Sequence, residues 1–399
     1  MKLRQLTSED IAWLDDNKHA DINSLWLKHK GNVDMEFLIT QLQCRQKARG
    51  KLDRSIVDER FVYPNALAVE QCSGDSMASL HASMFRPDDR VLDMTMGLGI
   101  DALSIVRRCR EIVMLDLKQD NVDAANLNIE RLSIDNARAI CGNSIEYLKD
   151  AADGAFDVIF IDPARRGADG KRLYALCDCE PDVTALLPLA SSKSKRMIIK
   201  ASPMLDIDKT VSELAPYHAD ITITGTPTEC KELIADIRFD TPCSTDCNIS
   251  CIIPQKGKLV FTSAEERTAI PTYALPQQGM YLFEPSPALL KSGCFNTLSQ
   301  RYALHKISPA THLYLSDQPL SDMQLGSWWH ISDVMAFDKQ SLKDIPRRYP
   351  SLSVATRNFP MDADSLRRRL KVAENSGQLK LWGVTDHTGK RCLIIGTRI

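Results

Sequence analysis

The residues best placed to do chemistry in this chain are acids and glycines. The run Val91-Leu-Asp93-Met-Thr-Met-Gly97-Leu-Gly99-Ile-Asp-Ala102 reads as a strand that ends in an acid and turns through glycines into a helix. Glycine suits such a turn because the backbone must approach a ligand closely and can need positive φ. The spacing Gly97-x-Gly99-x-x-Ala102 also fits a dinucleotide fingerprint, with Asp116 further along for a ribose hydroxyl. The loop alone leaves NAD and S-adenosylmethionine evenly matched. Asp93 separates them. It would stand near the pyrophosphate of NAD, where a negative charge is unfavourable. S-adenosylmethionine has no phosphate and carries an ammonium group, which a carboxylate complements. A third strand run leads into Gly142-Asn143-Ser144, whose amide or hydroxyl can meet an adenine edge. For Asp116 and Asn143 the alternative is an ordinary turn or helix cap.

A second acid ends the fourth such run, Phe156-Asp-Val-Ile-Phe-Ile161-Asp162-Pro163-Ala164-Arg165-Arg166-Gly167. An acid at the carboxyl end of a parallel strand stands in the crevice where such sheets bind ligands. Pro163 fixes φ and removes an N–H, which makes a rigid lip. Arg165 and Arg166 can clamp a phosphate, or equally serve a salt bridge or a solvated loop. Other groups carry less. Cys243-x3-Cys247-x3-Cys251 has a last gap too long for the three-cysteine iron–sulfur motif, and CxxC knuckles for zinc are absent. No metal is expected. Trp328 and Trp329 read as core before they read as base-stacking platforms.

These residues need a frame. From about 65 to 240, short β-type runs alternate with helical stretches: Arg90-Val-Leu-Asp-Met, Glu111-Ile-Val-Met-Leu-Asp, Ala137-Arg-Ala-Ile, Phe156–Ile161, Arg196-Met-Ile-Ile-Lys and Asp220-Ile-Thr-Ile-Thr. That rhythm predicts an α/β, doubly wound, mostly parallel sheet. Asn248–Pro254 and Leu259–Ser263, around a Gly-containing turn, predict a closing antiparallel hairpin. Residues 1–64 read as a helical block, with Asp34 as an N-cap candidate and Phe37, Leu38 and Leu42 on one face. A packing or lid subdomain is favoured over a substrate arm. Prolines at 271, 276, 285 and 287 suggest a linker, followed by an α+β region with strand candidates at 312–315, 353–356 and 391–396.

Of the 399 residues, 44% are hydrophobic and 26% charged, which excludes disorder as the main state. The formal net charge of −2 excludes a wholly basic nucleic-acid coat. The charge is segregated: residues 340–399 hold twelve basic and five acidic side chains, so the segment is basic by seven. Such a patch attracts a phosphate backbone, although a solvated basic helix is the plainer reading of Arg367, Arg368, Arg369 and Lys371. Twelve cysteines and an N-terminus that turns polar too early for a signal peptide point to reduced thiols and a cytoplasmic protein, with no membrane span.

Asp93-x3-Gly97-x-Gly99, Asp116 and Asp162-Pro-Ala-Arg165 together resemble the motifs of class I S-adenosylmethionine-dependent methyltransferases. The fourth-strand motif is similar to the Asp-Pro-Pro-x signatures of enzymes that methylate nucleic-acid bases. The layout resembles a bacterial group with a THUMP-like C-terminal domain, through Glu70-Gln-Cys-Ser73, Glu229-Cys-Lys-Glu-Leu233, Arg357-Asn-Phe359 and Leu366-Arg-Arg-Arg-Leu370. Met96 departs from the glycine the resemblance leads one to expect. The resemblance implies a Rossmann-like methyltransferase sheet at 65–265 after a helical subdomain at 1–64, then a ferredoxin-like domain at 266–325 and a basic THUMP-like domain at 326–399. It implies S-adenosylmethionine held by Asp93, Gly97, Gly99, Asp116, Asn143, Ser144 and Asp162, and catalysis by Asp162, Pro163 and Arg165. RNA, tRNA or rRNA and not DNA, would meet Arg166, Arg357, Arg367, Arg368 and Lys371. Pyrimidine C5 transfer needs a cysteine nucleophile, but the place after the fifth strand reads Lys200-Ala-Ser-Pro203, so a base exocyclic amino group is favoured. The alternatives are a protein or small-molecule methyltransferase, or a non-catalytic RNA-binding protein that retains the cofactor fold.

Overall fold

Runs of aliphatic residues bounded by charge make the strands that carry the candidate site. In the computed structural model, which describes residues 2–52, 57–165, 175–244, 246–375 and 377–399, these are β1 (Arg90–Asp93), β2 (Glu111–Asp116), β3 (Ala137–Cys141), β4 (Phe156–Ile161) and β5 (Ser194–Ala201). The centres of β1, β2, β4 and β5 are nearly unbroken apolar sequence, as strands covered on both faces require, whereas β3 is a more exposed edge strand. All adjacent pairs run parallel, in the order β3-β2-β1-β4-β5. Leu92 of β1 lies opposite Val113 on one side and Ile159 on the other. The order reverses at β1, so the carboxyl ends of β1 and β4 flank a switch point, where doubly wound sheets open a crevice.

Backbone contacts divide the chain into two units, Met1–Ala219 with Ala235–Cys243 and Asp220–Ile234 with Ser244–Ile399. In the first unit, helix α1 (Ser8–Asp16), α2 (Ile22–Lys28) and α3 (Val33–Ala48) bury Leu14, Phe37, Leu38 and Leu42 together with Val62. α4 (Ala66–Gln71), α5 (Asp75–Ala82), α6 (Ile100–Ile105) and α7 (Gln119–Arg131) follow, with α7 packed on β2 and β3. The N-terminal block is pinned to α7: Val62 N–H donates to Asn128 Oδ1 and Asn128 Nδ2 donates back to Val62 O, both at 2.9 Å. The N-cap of α3 is Asn32, whose side chain accepts from Met35 N–H at 3.2 Å. Asp34 lies instead in the first turn, where its charge favours the helix dipole.

The strand at 220 is β6 (Tyr217–Gly225), followed by β7 (Cys230–Pro242), which holds the Glu-Cys-Lys-Glu-Leu segment. In the second unit β6 pairs parallel with β8 (Asn248–Ile253), and β8 pairs antiparallel with β9 (Gly257–Thr262), the expected hairpin. A second sheet follows, built of β10 (Tyr281–Pro285), β11 (Tyr314–Ser316), β12 (Gly326–Ala336), β13 (Ser353–Arg357), β14 (Leu379–Thr385) and β15 (Arg391–Arg398) with two two-residue strands. The proline-rich stretch is not a bare linker. Pro285 ends β10, and Pro287 opens a helix at its first turn, where a missing N–H costs nothing. Trp328 and Trp329 are buried, and Trp329 meets Trp382 edge-on in the core. Lys371 is not on the basic helix: it caps Ala363–Leu370 with φ +57°. Among the described residues no helix is long and apolar enough to cross a membrane.

Candidate functional site at the ends of β1 and β4

The turn after β1 is set by its own backbone needs. Gly97 and Gly99 take φ +58° and +82°, in the left-handed region where side chains are strained. A Cβ on Gly97 would meet nothing within 4 Å, so there the constraint is backbone conformation together with an open space above it. Met96, at the departure noted above, is buried and packs under Gly99, and its N–H donates to Leu115 O at 2.9 Å. The loop and the fourth strand are tied directly, for Asp162 N–H donates to Thr95 Oγ1 at 2.7 Å.

Above this turn lies a cavity of about 540 Å³, within the range of small-molecule sites. Asp93, Gly97, Gly99, Asp162 and Pro163 line it, together with Cys72, Ser73, Asp101, Asn121 and Lys200. Asp93 is 1% exposed. Burial pushes its carboxyl up to about 7, against the Thr95 N–H that favours the charge, with Asp101 and Asp162 adding to the rise. A buried carboxyl in that state, facing a cavity, is short of positive charge. Asp101 behaves oppositely. Burial opposes its charge, but His81 and Lys200 hold it well below the usual carboxylate range.

The acid of the fourth strand has a partner that sequence reasoning missed. Lys200 stands beside Asp162 because β4 and β5 run in register, Ile161 opposite Ile199. Its Nζ donates to Asp162 Oδ2 at 2.5 Å and to Ser73 Oγ at 3.0 Å. Ser73 Oγ donates to Asp101 Oδ2, and Asp101 Oδ1 meets His81 Nδ1, both at 2.7 Å. The sequence held one clue to this, the Glu-Gln-Cys-Ser73 run. The importance of Lys200 had no local signal, because its partners lie up to 127 residues away.

The other site candidates spread out. Asp116 braces the loop: Oδ2 accepts from Gly97 N–H at 2.9 Å and Asn121 Nδ2 at 3.0 Å, and Oδ1 from Lys118 N–H at 2.8 Å. Asn143 is the N-cap of the helix Ser144–Asp150, its side chain accepting from Ile145 N–H at 2.9 Å. Neither Asp116, Asn143 nor Ser144 is among the residues lining the cavity. Ala164–Arg165 forms a short antiparallel pair with Cys179–Glu180, while Arg166 lies outside the described residues. Arg357 pairs with Glu284 at 3.4 Å, and Arg367 with Asp364 and Glu374 at 3.2 and 3.1 Å. Arg368 Nε donates to Asp364 O at 3.4 Å. Of the three cysteines spaced by four, Cys243 is exposed, while Cys247 and Cys251 are buried.

Comparison with known proteins agrees with this architecture. A family model described as a ferredoxin-like domain matches residues 281–323, and one described as THUMP domain-like matches 326–398. A solved structure of a candidate methyltransferase from Porphyromonas gingivalis W83 superposes with TM-score 0.84 at 27% identity, covering 98% of this chain and 97% of that one. The 23S rRNA (uracil(1939)-C(5))-methyltransferase RlmD of Aeromonas hydrophila is 34% identical over 111 residues, 27% of this chain and 24% of that protein. An uncharacterized RNA methyltransferase of Mycoplasma mobile is 33% identical over 94 residues, 24% of this chain and 26% of that protein. The chain thus spans about a quarter of the length of these curated relatives. What the strand order, the cavity and these likenesses establish together is a methyltransferase fold followed by ferredoxin-like and THUMP-like domains.

Proposed function

We propose that this chain is a cytoplasmic enzyme that methylates an exocyclic amino group of a base in a structured RNA, tRNA or rRNA, with S-adenosylmethionine as donor. The observation that carries this reading is the acidic cavity, with the buried Asp93 carboxyl on one side and the Asp162 acceptor on the other. The residues fit the donor. An ammonium group supplies the positive charge that Asp93 lacks, whereas the phosphates of NAD would face Asp93, Asp101 and Asp162. The bound donor supplies an electrophilic methyl group, and the chain's work is to align, to hold and to exclude water.

Asp93 takes the ammonium end, and Gly97 and Gly99 keep the loop low beneath it. Asp116 spends three acceptor positions, on Gly97 N–H of the loop and on Lys118 N–H and Asn121 Nδ2 after β2, and a carboxylate offers about four, so one remains for a ribose hydroxyl. Asn143 and Ser144 stand at the end of β3 for the adenine edge. Asp162 accepts a hydrogen bond from the target amino group and the Pro163 carbonyl accepts another, and Arg165 and Arg166 are the candidate basic groups of the same motif. The domain layout follows the same reading, with 1–64 a packing subdomain, 65–265 catalytic, 266–325 ferredoxin-like, and 326–399 presenting Arg357, Arg367, Arg368 and Lys371 to RNA. The THUMP-like match and the RNA-directed names of the relatives support RNA over protein.

One observation favours a second reading, pyrimidine C5 transfer: Cys72 lines the cavity, and the relatives include a uracil-C5 enzyme. Burial pushes the Cys72 thiol up, which disfavours the thiolate that C5 chemistry needs. The test uses methyl-labelled S-adenosylmethionine with unmodified RNA and protein fractions from cells lacking the enzyme. Label in RNA, lost in Asp162→Ala with RNA affinity retained, supports the reading, and nucleoside digestion separates N-methyl products from 5-methyluridine. Label in protein alone overturns RNA as the substrate. No label in either, with donor binding intact, points to a small molecule or a binding protein.

A further inference from the structure

We propose that Lys200 is a positioning residue for the transfer, fixing Asp162 as an ionised acceptor while seated on Ser73 and the Asp101–His81 pair; this rests on the methyl-transfer reading of the cavity. Lys200 is 7% exposed. A lysine is almost never so buried unless its charge is partnered. Its Nζ donates to Asp162 Oδ2 at 2.5 Å and to Ser73 Oγ at 3.0 Å, and it lies 3.6 Å from Asp101 Oδ2 as an ion pair. The Asp162 side chain nevertheless remains 39% exposed. Lys200 is therefore a pedestal. Both Lys200 and Asp162 line the cavity, with the lysine the more buried of the two.

The chemistry makes that pedestal useful. As the amino lone pair forms the N–C bond, the S–C electron pair returns to sulfur and the nitrogen becomes positive until it sheds one proton to water. An ionised acceptor held in one rotamer stabilises that developing charge without reorganising. Replacing Lys200 removes the cation that Asp162 and Asp101 share, which favours proton uptake by these carboxyls. Among the described residues, the titratable groups around the pair are Asp93 after β1, Asp101 on α6, His81 on α5, Cys72 after α4 and Lys118, which also lines the cavity. Saturating donor masks the titration of Asp93, and burial keeps the Cys72 thiol neutral.

The experiment compares wild type, Lys200→Met and Ser73→Ala in single-turnover methyl transfer to the RNA fraction, at saturating donor, across pH 5–9. For Lys200→Met the transfer rate should fall about 10²-fold, with S-adenosylhomocysteine affinity within about twofold of wild type. The acid limb of its profile should move to higher pH. Ser73→Ala, which removes one acceptor and leaves the cation in place, should move the limb the same way by less. It serves as the test if Lys200→Met does not fold. A wild-type rate and profile in either folded variant overturns the proposal, as does a lower rate with an unmoved acid limb, which would mark a purely structural ion pair. If wild type itself labels no RNA, the methyl-transfer reading fails separately. Carboxyl-¹³C titration of Asp162, assigned with Asp162→Asn, then decides the rest. A midpoint raised in the variants sustains the positioning role, and an unmoved one overturns it.

Discussion

Both halves of the molecule bury ionised groups, and they use them differently. Around the cavity of the first unit, Asp93, Asp101, Asp162 and Lys200 converge at strand ends, and one carboxyl is left seeking positive charge. In the second unit the part-buried carboxylate Glu284 is met by three donors. Lys380 Nζ donates to both its oxygens at 2.9 and 2.7 Å, Trp382 Nε1 to Oε1 at 3.2 Å, and Arg357 pairs with it at 3.4 Å. A closed set of partners holds a fold together. An open set with space above it awaits a ligand. The difference assigns structural work to Glu284 and chemical work to the ends of β1 and β4.

That comparison can be broken from either side. The largest effect should come from Trp382→Ala. Trp382 is fully buried, bonded to Glu284 and packed edge-on against Trp329, so its loss should cost about 3–5 kcal/mol. Denaturant unfolding reads the cost, and donor affinity should stay unchanged. A loss of donor binding in a folded Trp382→Ala protein would show that the two regions do not divide the work.

Asp93→Asn comes next. Because the folded carboxyl is raised to about 7 from 3.8, the folded state holds a proton that the unfolded chain has released between those values. Wild-type stability therefore falls as pH rises from 4 to 7, by up to about 1.4 kcal/mol per pH unit. Thermal melts should show the Asp93→Asn variant gaining on wild type across that window, with a constant difference above it. A constant difference from pH 4 to 8 would mean that Asp93 is already satisfied.

The smallest effect should come from the surface. Arg367→Ala with Arg368→Ala should weaken RNA binding evenly across sequences and lower the log–log salt slope by about 1–2 units. Arg367 already pairs with Asp364 and Glu374, which limits what it has left for phosphate. An unchanged salt slope would move the RNA surface elsewhere.

How much of this was legible in the sequence follows the range of the interactions. The strands at 90, 111, 156 and 196 announced themselves because parallel strands covered on both faces are written as continuous apolar runs, whereas the edge strand at 137 was legible only from its place in the βαβ rhythm. The glycine turn was legible because its φ angles are a local demand. β10, β12 and β14 were missed: Gly326–Ala336 contains His330, Ser332 and Asp333, and no clean alternation marks it as a strand. Asp162 was found from its place at a strand end. Its lysine was not, because Lys200 acquires its meaning from Ser73, Asp101 and Asp162, brought together only by the register of β4 with β5 and the placement of α5 against α6. Asn143 was read with a cap as the alternative, and the cap is what its side chain makes.

The most direct test of the central claim is calorimetric titration of wild type and Asp93→Asn with S-adenosylmethionine and with NAD at pH 6, 7 and 8. S-adenosylmethionine should bind wild type more tightly as pH rises toward and past about 7, by at most about tenfold per unit. Asp93→Asn should bind it weakly with no pH dependence, and NAD should not bind. Tight NAD binding, or S-adenosylmethionine binding indifferent to Asp93→Asn, would contradict the assignment of this cavity as a methyl-donor site.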